Sequence, residues 1–233
     1  INAIDGDSLV AEGRTGAMAA AAFAPIGNRW HPGPVLYMEK LVGDRSCTDV
    51  VGPDALDAPP GFVLANIARA KEKDIGDLAV FVIDRPRHEG LIEEIRRAGA
   101  RVHLRKGGDV GGALLAADPN APIDAMMGTG GAAEGQIAAC AVKALGGTIL
   151  GRPAPLSEGE KRNCLDLGID LARVLTCDDM VASDQIYFAA TMITDGVMMR
   201  GVSYHGRTVD THSMVLRMET GTRRIIKTEH RLK

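Results

Sequence analysis

Residues 78–104 read LAVFVI, DRPRH, EGLIEEIRRA, GA, RVHL, and this stretch decides the fold class. Leu78–Ile83 is a short run rich in β-branched and aromatic residues. Glu89–Ala98 then places Leu91, Ile92 and Ile95 at helical spacing, and Arg101–Leu104 returns to a strand pattern. The alternation continues with a helix over Val110–Ala117, a strand over Ile123–Met127, a helix over Ala133–Leu145 and a strand over Thr148–Leu150. Strands and helices that alternate through short loops form parallel βαβ units with right-handed crossovers, so the chain reads as an α/β protein.

On the N-terminal side, Ala17–Ala24 and Val35–Val42 read as strands, with turns at Gly27-Asn28 and Pro32-Gly33-Pro34. Thr48–Gly61, rich in Pro, Gly and Asp, reads as a linker into an amphipathic helix over Phe62–Lys73. On the C-terminal side, a helix is expected over Glu158–Leu171, and strands over Ile186–Ile193, Ser213–Arg217 and Arg223–Glu229. The organisation is sheet, α/β block, sheet. Residues 1–60 supply part of a first sheet with an acidic motif, residues 61–185 the α/β block, and residues 186–233 strands returning to the sheet.

Composition narrows the function. With 45% hydrophobic and 24% charged residues in 233, the chain buries a core and is no disordered tail. Its longest apolar run, Ala17–Pro25, is far short of the roughly 20 residues of a membrane span. A net charge of −3 and 3% aromatics offer neither a basic field nor stacking platforms for nucleic acid. Cys47, Cys140, Cys164 and Cys177 share no metal-site spacing and read as structural thiols in a reducing, cytoplasmic compartment. The opening Ile1-Asn2-Ala3, without methionine, is expected to follow a missing N-terminal segment.

Ligands of open α/β sheets sit at the carboxyl ends of strands, and three chemically loaded loops follow expected strands. Asp84-Arg85-Pro86-Arg87-His88 presents two guanidiniums fixed about a proline, a fork for phosphate, or else a charged turn in which Asp84 pairs an arginine. In Lys106-Gly107-Gly108-Asp109 the glycines admit a ligand to the backbone, and Asp109 either caps a helix or accepts from sugar hydroxyls. Gly128–Gly135 is a glycine-rich loop between a strand and a helix, with Glu134 in the helix's first turn.

Gly128, Gly130 and Ala133 also fit a dinucleotide fingerprint, with Arg152 available to a 2′-phosphate. A carboxylate at that helix start repels a pyrophosphate unless a divalent cation lies between them, which favours Glu134 as a metal ligand. The acid turn Asp5-Gly6-Asp7 suits Mg²⁺ or Mn²⁺ held through oxygen, with backbone N–H groups meeting phosphate. Together these loops describe a metal-assisted phosphate site. Tyr204-His205 and His212 lie near turns and read as surface residues.

Ile1–Leu9, Tyr37-Met38-Glu39-Lys40-Leu41, the Asp84–His88 and Gly107–Asp109 loops, Gly128–Gly135 and Thr194-Asp195-Gly196 follow in an order and spacing that resembles the class II fructose-1,6-bisphosphatases. The resemblance runs on to Thr211-His212-Ser213 and Glu229-His230-Arg231-Leu232, nearly the whole chain. It implies the layered α-β-α-β-α fold of the lithium-sensitive sugar and inositol phosphatases, here without its N-terminal part. It also implies gluconeogenic, Mg²⁺- or Mn²⁺-dependent hydrolysis of the 1-phosphate of fructose 1,6-bisphosphate; some members also accept sedoheptulose 1,7-bisphosphate.

By this resemblance Asn2, Asp5 and Glu134 are metal ligands, with Asp5 and Glu134 catalytic. Asp5, Gly6, Asp7, Tyr37, Arg85, Pro86, Arg87, Gly107, Gly108, Asp109 and Gly131 line the substrate. It implies a homo-oligomer, a dimer or tetramer, acting on a sugar bisphosphate with no nucleic-acid or membrane partner.

The chain departs from the family pattern at the site itself. Asn2 stands where an aspartate binds metal, Ala3 replaces a proline, Asp7 replaces a threonine, Gly107 replaces an aspartate and Met192 a glycine. Metal carboxylates of the family's N-terminal segment fall outside this sequence. The competing reading is therefore a catalytically impaired sugar-bisphosphate-binding protein on the same fold; a dinucleotide-dependent oxidoreductase is the third.

Overall fold

The strands expected on either side of Asp84–His88 lie side by side and parallel. The computed structural model describes residues 1–232. In chain order its strands are β1 (Asn2–Asp5), β2 (Met18–Phe23), β3 (Tyr37–Gly43), β4 (Ala79–Ile83), β5 (Arg101–Arg105), β6 (Ala125–Gly131), β7 (Thr148–Pro153), β8 (Tyr187–Met192), β9 (Ser203–His205), β10 (Thr208–Arg217) and β11 (Thr222–Arg231). The helices are α1 (Asp7–Ala11), α2 (Pro60–Ala70), α3 (Glu89–Arg97), α4 (Asp109–Ala117), α5 (Ala132–Ala144), α6 (Glu158–Asp166) and α7 (Cys177–Met180).

One sheet runs β1-β2-β8-β10-β11, with β9 also paired to β10, and its pairings are antiparallel. The other runs β5-β4-β6-β3-β7. There β4 is parallel to β5 and β6, while β3 is antiparallel to both β6 and β7. The first and last thirds of the chain thus share one sheet, with a correction at β3. Grouped by sequence with residues 1–60, β3 instead lies inside the second sheet, and the α5 crossover from β6 to β7 passes over it.

Helices α4 and α5 fill the space between the sheets. Every residue of α4 is buried, which a helix flanked by two sheets requires and an amphipathic one could not satisfy. Its small residues set the spacing: a Cβ on Gly112 would lie 2.5 Å from the Phe81 ring on β4. A second core, built on Leu64, Ile67, Val80, Val82 and Ile95, lies between the far face of the second sheet and helices α2 and α3. The described residues therefore stack as sheet, helices, sheet, helices. No helix among them is long and apolar enough to cross a membrane.

Several boundaries differ from the sequence reading. Gly128–Gly131 is no loop: β6 runs through it, pairing Gly131 with Tyr37 and Thr129 with Glu39, and α5 begins at the next residue. Helix α6 stops at Asp166, short of Leu171, because Leu167 caps it and Gly168 takes the positive φ (73°) that ends a helix. Thr48–Gly61 is not a free linker. Val51 is buried, Pro53–Leu56 forms a 3₁₀ turn, and Arg152 of β7 ties down the Leu56 carbonyl at 3.2 Å and the Asp57 carboxylate. The cysteines are free thiols, three buried and Cys177 half-buried.

Candidate functional site

Because β4, β5 and β6 run parallel, their carboxyl ends fall on one edge of the second sheet, with the start of β3 paired to the end of β6. The β1–α1 turn of the first sheet is locked onto this edge by close glycine packing. A Cβ on Gly107 would lie 3.2 Å from Gly6 Cα and 3.0 Å from Ser8 Oγ, and Ser8 donates to the Lys106 carbonyl at 3.1 Å. Gly6 and Gly108 both hold positive φ (84° and 87°), which makes the two facing turns possible.

The result is an open cleft of about 510 Å³. Its walls bring together Asn2, Asp5, Gly6 and Asp7 from the first sheet, Tyr37 from β3, and Arg85 and Arg87 after β4. Gly107, Gly108 and Asp109 after β5, and Gly131 and Glu134 from the β6–α5 junction, complete it. Of the residues that the resemblance assigned to substrate or metal, Pro86 alone does not line the cleft; it opens the 3₁₀ turn Pro86–His88 that carries Arg87.

The acids crowd one wall. Asp5 is buried, with Oδ2 accepting the Gly111 N–H at 2.9 Å. Burial pushes its carboxyl up to about 7; the Asp109 and Glu134 charges add to this, and the Gly111 and Val110 N–H groups oppose it. Glu134 folds back over Gly131, where a Cβ would lie 1.8 Å from its Oε2. Asp109 lies likewise over Gly130, with Oδ2 2.0 Å from the Cβ position. Asp109 Oδ2 accepts from Lys40 Nζ at 2.6 Å, while its Oδ1 is buried without a partner among the described residues.

The cations stand on the strand-end turn. Arg87 donates twice to the Thr129 carbonyl, from Nε at 3.1 Å and Nη2 at 2.7 Å, and its guanidinium sits 5.6 Å from the Tyr37 ring centroid. Burial and the adjacent Arg85 charge pull the Arg87 pKa down, and an anion between the two guanidiniums relieves that repulsion. Asp84 forms no ion pair among the described residues; Arg85 bonds only its backbone carbonyl, at 2.9 Å.

The dinucleotide reading fails on this geometry. The helix start that would receive a pyrophosphate carries the folded-back Glu134, and Gly128 lies inside β6, where a Cβ would be 3.0 Å from His88 Nε2. Arg152, reserved for a 2′-phosphate, is instead paired with Glu39 at 2.7 Å and with Asp57.

The model of the family described as bacterial fructose-1,6-bisphosphatase, glpX-encoded, matches residues 1–230. The chain belongs to this family. It is 37% identical over 243 residues to a protein of Synechococcus sp. (strain JA-3-3Ab) named D-fructose 1,6-bisphosphatase class 2/sedoheptulose 1,7-bisphosphatase, covering 99% of this chain and 69% of that one. It is 34% identical over 245 residues to the fructose-1,6-bisphosphatase class 2 of Haemophilus influenzae, covering 100% of this chain and 72% of its relative.

The bisphosphatase family membership makes the cation question pointed, and the donor chemistry fits in part. Among the described residues no group of three or more His, Cys, Asp or Glu closes around one point. Asn2, Asp5 and Glu134 nevertheless bring side-chain oxygens to one cleft, and the Asp109 and Glu134 charges add to the burial that raises the Asp5 pKa. This suits one side of a Mg²⁺ or Mn²⁺ shell, since Mg²⁺ is ordinarily held by one or two carboxylates with water and phosphate oxygens completing it.

Two residues stood in the quoted motifs without a role assigned to them. Lys40 is fully buried on β3, and its signal was phase: Met38, Lys40 and Val42 all point into the core. His88 is buried, with Nδ1 2.6 Å from the Ile83 carbonyl and Nε2 accepting the Thr129 N–H at 2.8 Å. It thus holds the arginine turn against β6 as a neutral imidazole protonated at Nδ1. The three remaining surface expectations lie outside the cleft: Tyr204 and His205 are exposed on β9, while His212 is half-buried on β10.

Burial holds the His88 pKa below 6.5, and the Arg87 and Arg85 charges act in the same direction, against the Ile83 carbonyl and Asp109. As pH falls below 6.5, the unfolded chain takes up a proton that the folded chain refuses, so stability falls. Thermal unfolding between pH 8 and 5.5 should therefore show a flatter acid limb in His88→Gln than in the unmodified chain. Parallel limbs would remove His88 from this role.

Proposed function

We propose that the chain hydrolyses the 1-phosphate of fructose 1,6-bisphosphate, giving fructose 6-phosphate and inorganic phosphate. Water supplies the oxygen that bonds to phosphorus as the bond to the C1 oxygen breaks, and that oxygen leaves as a hydroxyl. The supporting observation is one cleft in which a wall of oxygen donors faces a guanidinium pair, in a member of this family. The same proposal includes a cytoplasmic location and an oligomeric assembly.

Asn2, Asp5 and Glu134 would hold a divalent cation, Mg²⁺ or Mn²⁺, which when bound supplies Lewis-acid charge neutralisation at the reacting phosphate. Arg85 and Arg87 bind the phosphate that is retained. Arg87 is pre-oriented by the Thr129 carbonyl and the Tyr37 ring, so little side-chain freedom is lost on binding. The bare backbones of Gly107, Gly108 and Gly131 let the sugar approach. Asp109 Oδ1, buried and unpartnered, accepts a sugar hydroxyl.

Phosphate release from fructose 1,6-bisphosphate, measured with Mg²⁺ or Mn²⁺ and again with excess chelator, tests the reading. Release that the chelator abolishes is expected. Saturable binding of the sugar without release would instead make the chain a binding protein, with Asn2, Asp7 and Gly107 as the first positions to revert.

A further inference from the structure

We propose that Lys40 is a positioning residue that fixes the carboxylate of Asp109 so that its free oxygen meets the ligand. This rests on reading the cleft as a sugar-bisphosphate site. The ammonium of Lys40 is fully buried and makes two hydrogen bonds that join separate elements. One goes to Asp109 Oδ2 at 2.6 Å, on the first residue of α4, and the other to the Gly131 carbonyl at 2.9 Å, on the last residue of β6.

One glycine makes the arrangement possible: Gly130 has no Cβ to meet the Asp109 carboxylate. A buried ion pair is a poor way to stabilise a core, since apolar residues of similar volume commonly serve as well or better. The pair earns its place by what it leaves open. Asp109 spends Oδ2 on Lys40 and holds Oδ1 unpartnered in the wall of the cleft, a fixed acceptor for a hydroxyl.

Lys40→Met tests this by titration with two probes, fructose 1,6-bisphosphate and inorganic phosphate, and by a crystal structure of the variant. Affinity for the sugar bisphosphate is expected to fall about tenfold or more, while affinity for inorganic phosphate changes less than about twofold. In the crystal the Asp109 carboxylate should leave its place over Gly130. Equal losses for both probes, no loss for either, or an unmoved carboxylate would overturn the proposal. Should the methionine variant not fold, Lys40→Gln, shorter by one atom and uncharged and so unable to hold Asp109 where the ammonium does, replaces it, and the same selective loss decides. Failure of the unmodified chain to bind fructose 1,6-bisphosphate overturns the substrate reading, while the displacement of Asp109 still decides the role of Lys40.

Discussion

Glu134→Gln should lower turnover of fructose 1,6-bisphosphate on the order of a hundredfold or more, the scale expected when a cation's charge stabilisation is lost. The fold should hardly notice. Among the described residues the Glu134 side chain makes no hydrogen bond or ion pair, it is half-buried at the mouth of α5, and glutamine keeps its shape. The loss of charge is what matters, because the Asp5 carboxyl already feels Glu134 across the cleft. Raising Mn²⁺ should recover part of the rate if the variant's defect is cation affinity. Turnover within about twofold of the unmodified chain at ordinary Mn²⁺ would remove Glu134 from the metal role.

The adjacent glycines at the end of β6 should respond to alanine in opposite ways. Gly130→Ala places a methyl 2.0 Å from Asp109 Oδ2, on a short side chain held at the start of α4 and paired with Lys40. The carboxylate cannot stay, and an uncompensated buried ammonium remains, so a loss of about 3 kcal/mol or more in unfolding free energy is expected. Gly131→Ala places its methyl 1.8 Å from Glu134 Oε2, the far end of a longer and unbonded side chain, at a residue whose φ of −62° any L-residue adopts. That variant should stay folded, within about 1 kcal/mol, and lose activity as the carboxylate swings away. Chemical denaturation of the pair checks both; equal stabilities would contradict the crowding described at Gly130.

The same glycines show where the sequence was legible and where it was not. The alternation over Leu78–Leu150 gave the α/β block, because strand and helix periods differ sharply and the loops are short. Gly128–Gly131 misled, since closely spaced glycines signal a loop by local chain freedom. Here they lie in a strand because carboxylates from α4 and α5 and the ring of His88 occupy the space where side chains would stand. That is information from three other elements, which no local pattern holds. The strands Asn2–Asp5 and Ser203–His205 are too short to show a period, and Lys40 was masked by the residues flanking it. The cleft itself was largely legible, because charged and glycine residues at strand ends are where an open sheet receives a ligand.

A crystal of the chain grown with Mn²⁺ and fructose 1,6-bisphosphate, examined by anomalous diffraction, would decide whether this cleft is the metal-assisted phosphate site. The expected result is a manganese peak touching Asp5 and Glu134, with one phosphate of the sugar between Arg85 and Arg87. A well-ordered cleft that binds the sugar with no manganese at Asp5 or Glu134, or manganese bound only elsewhere, would contradict it.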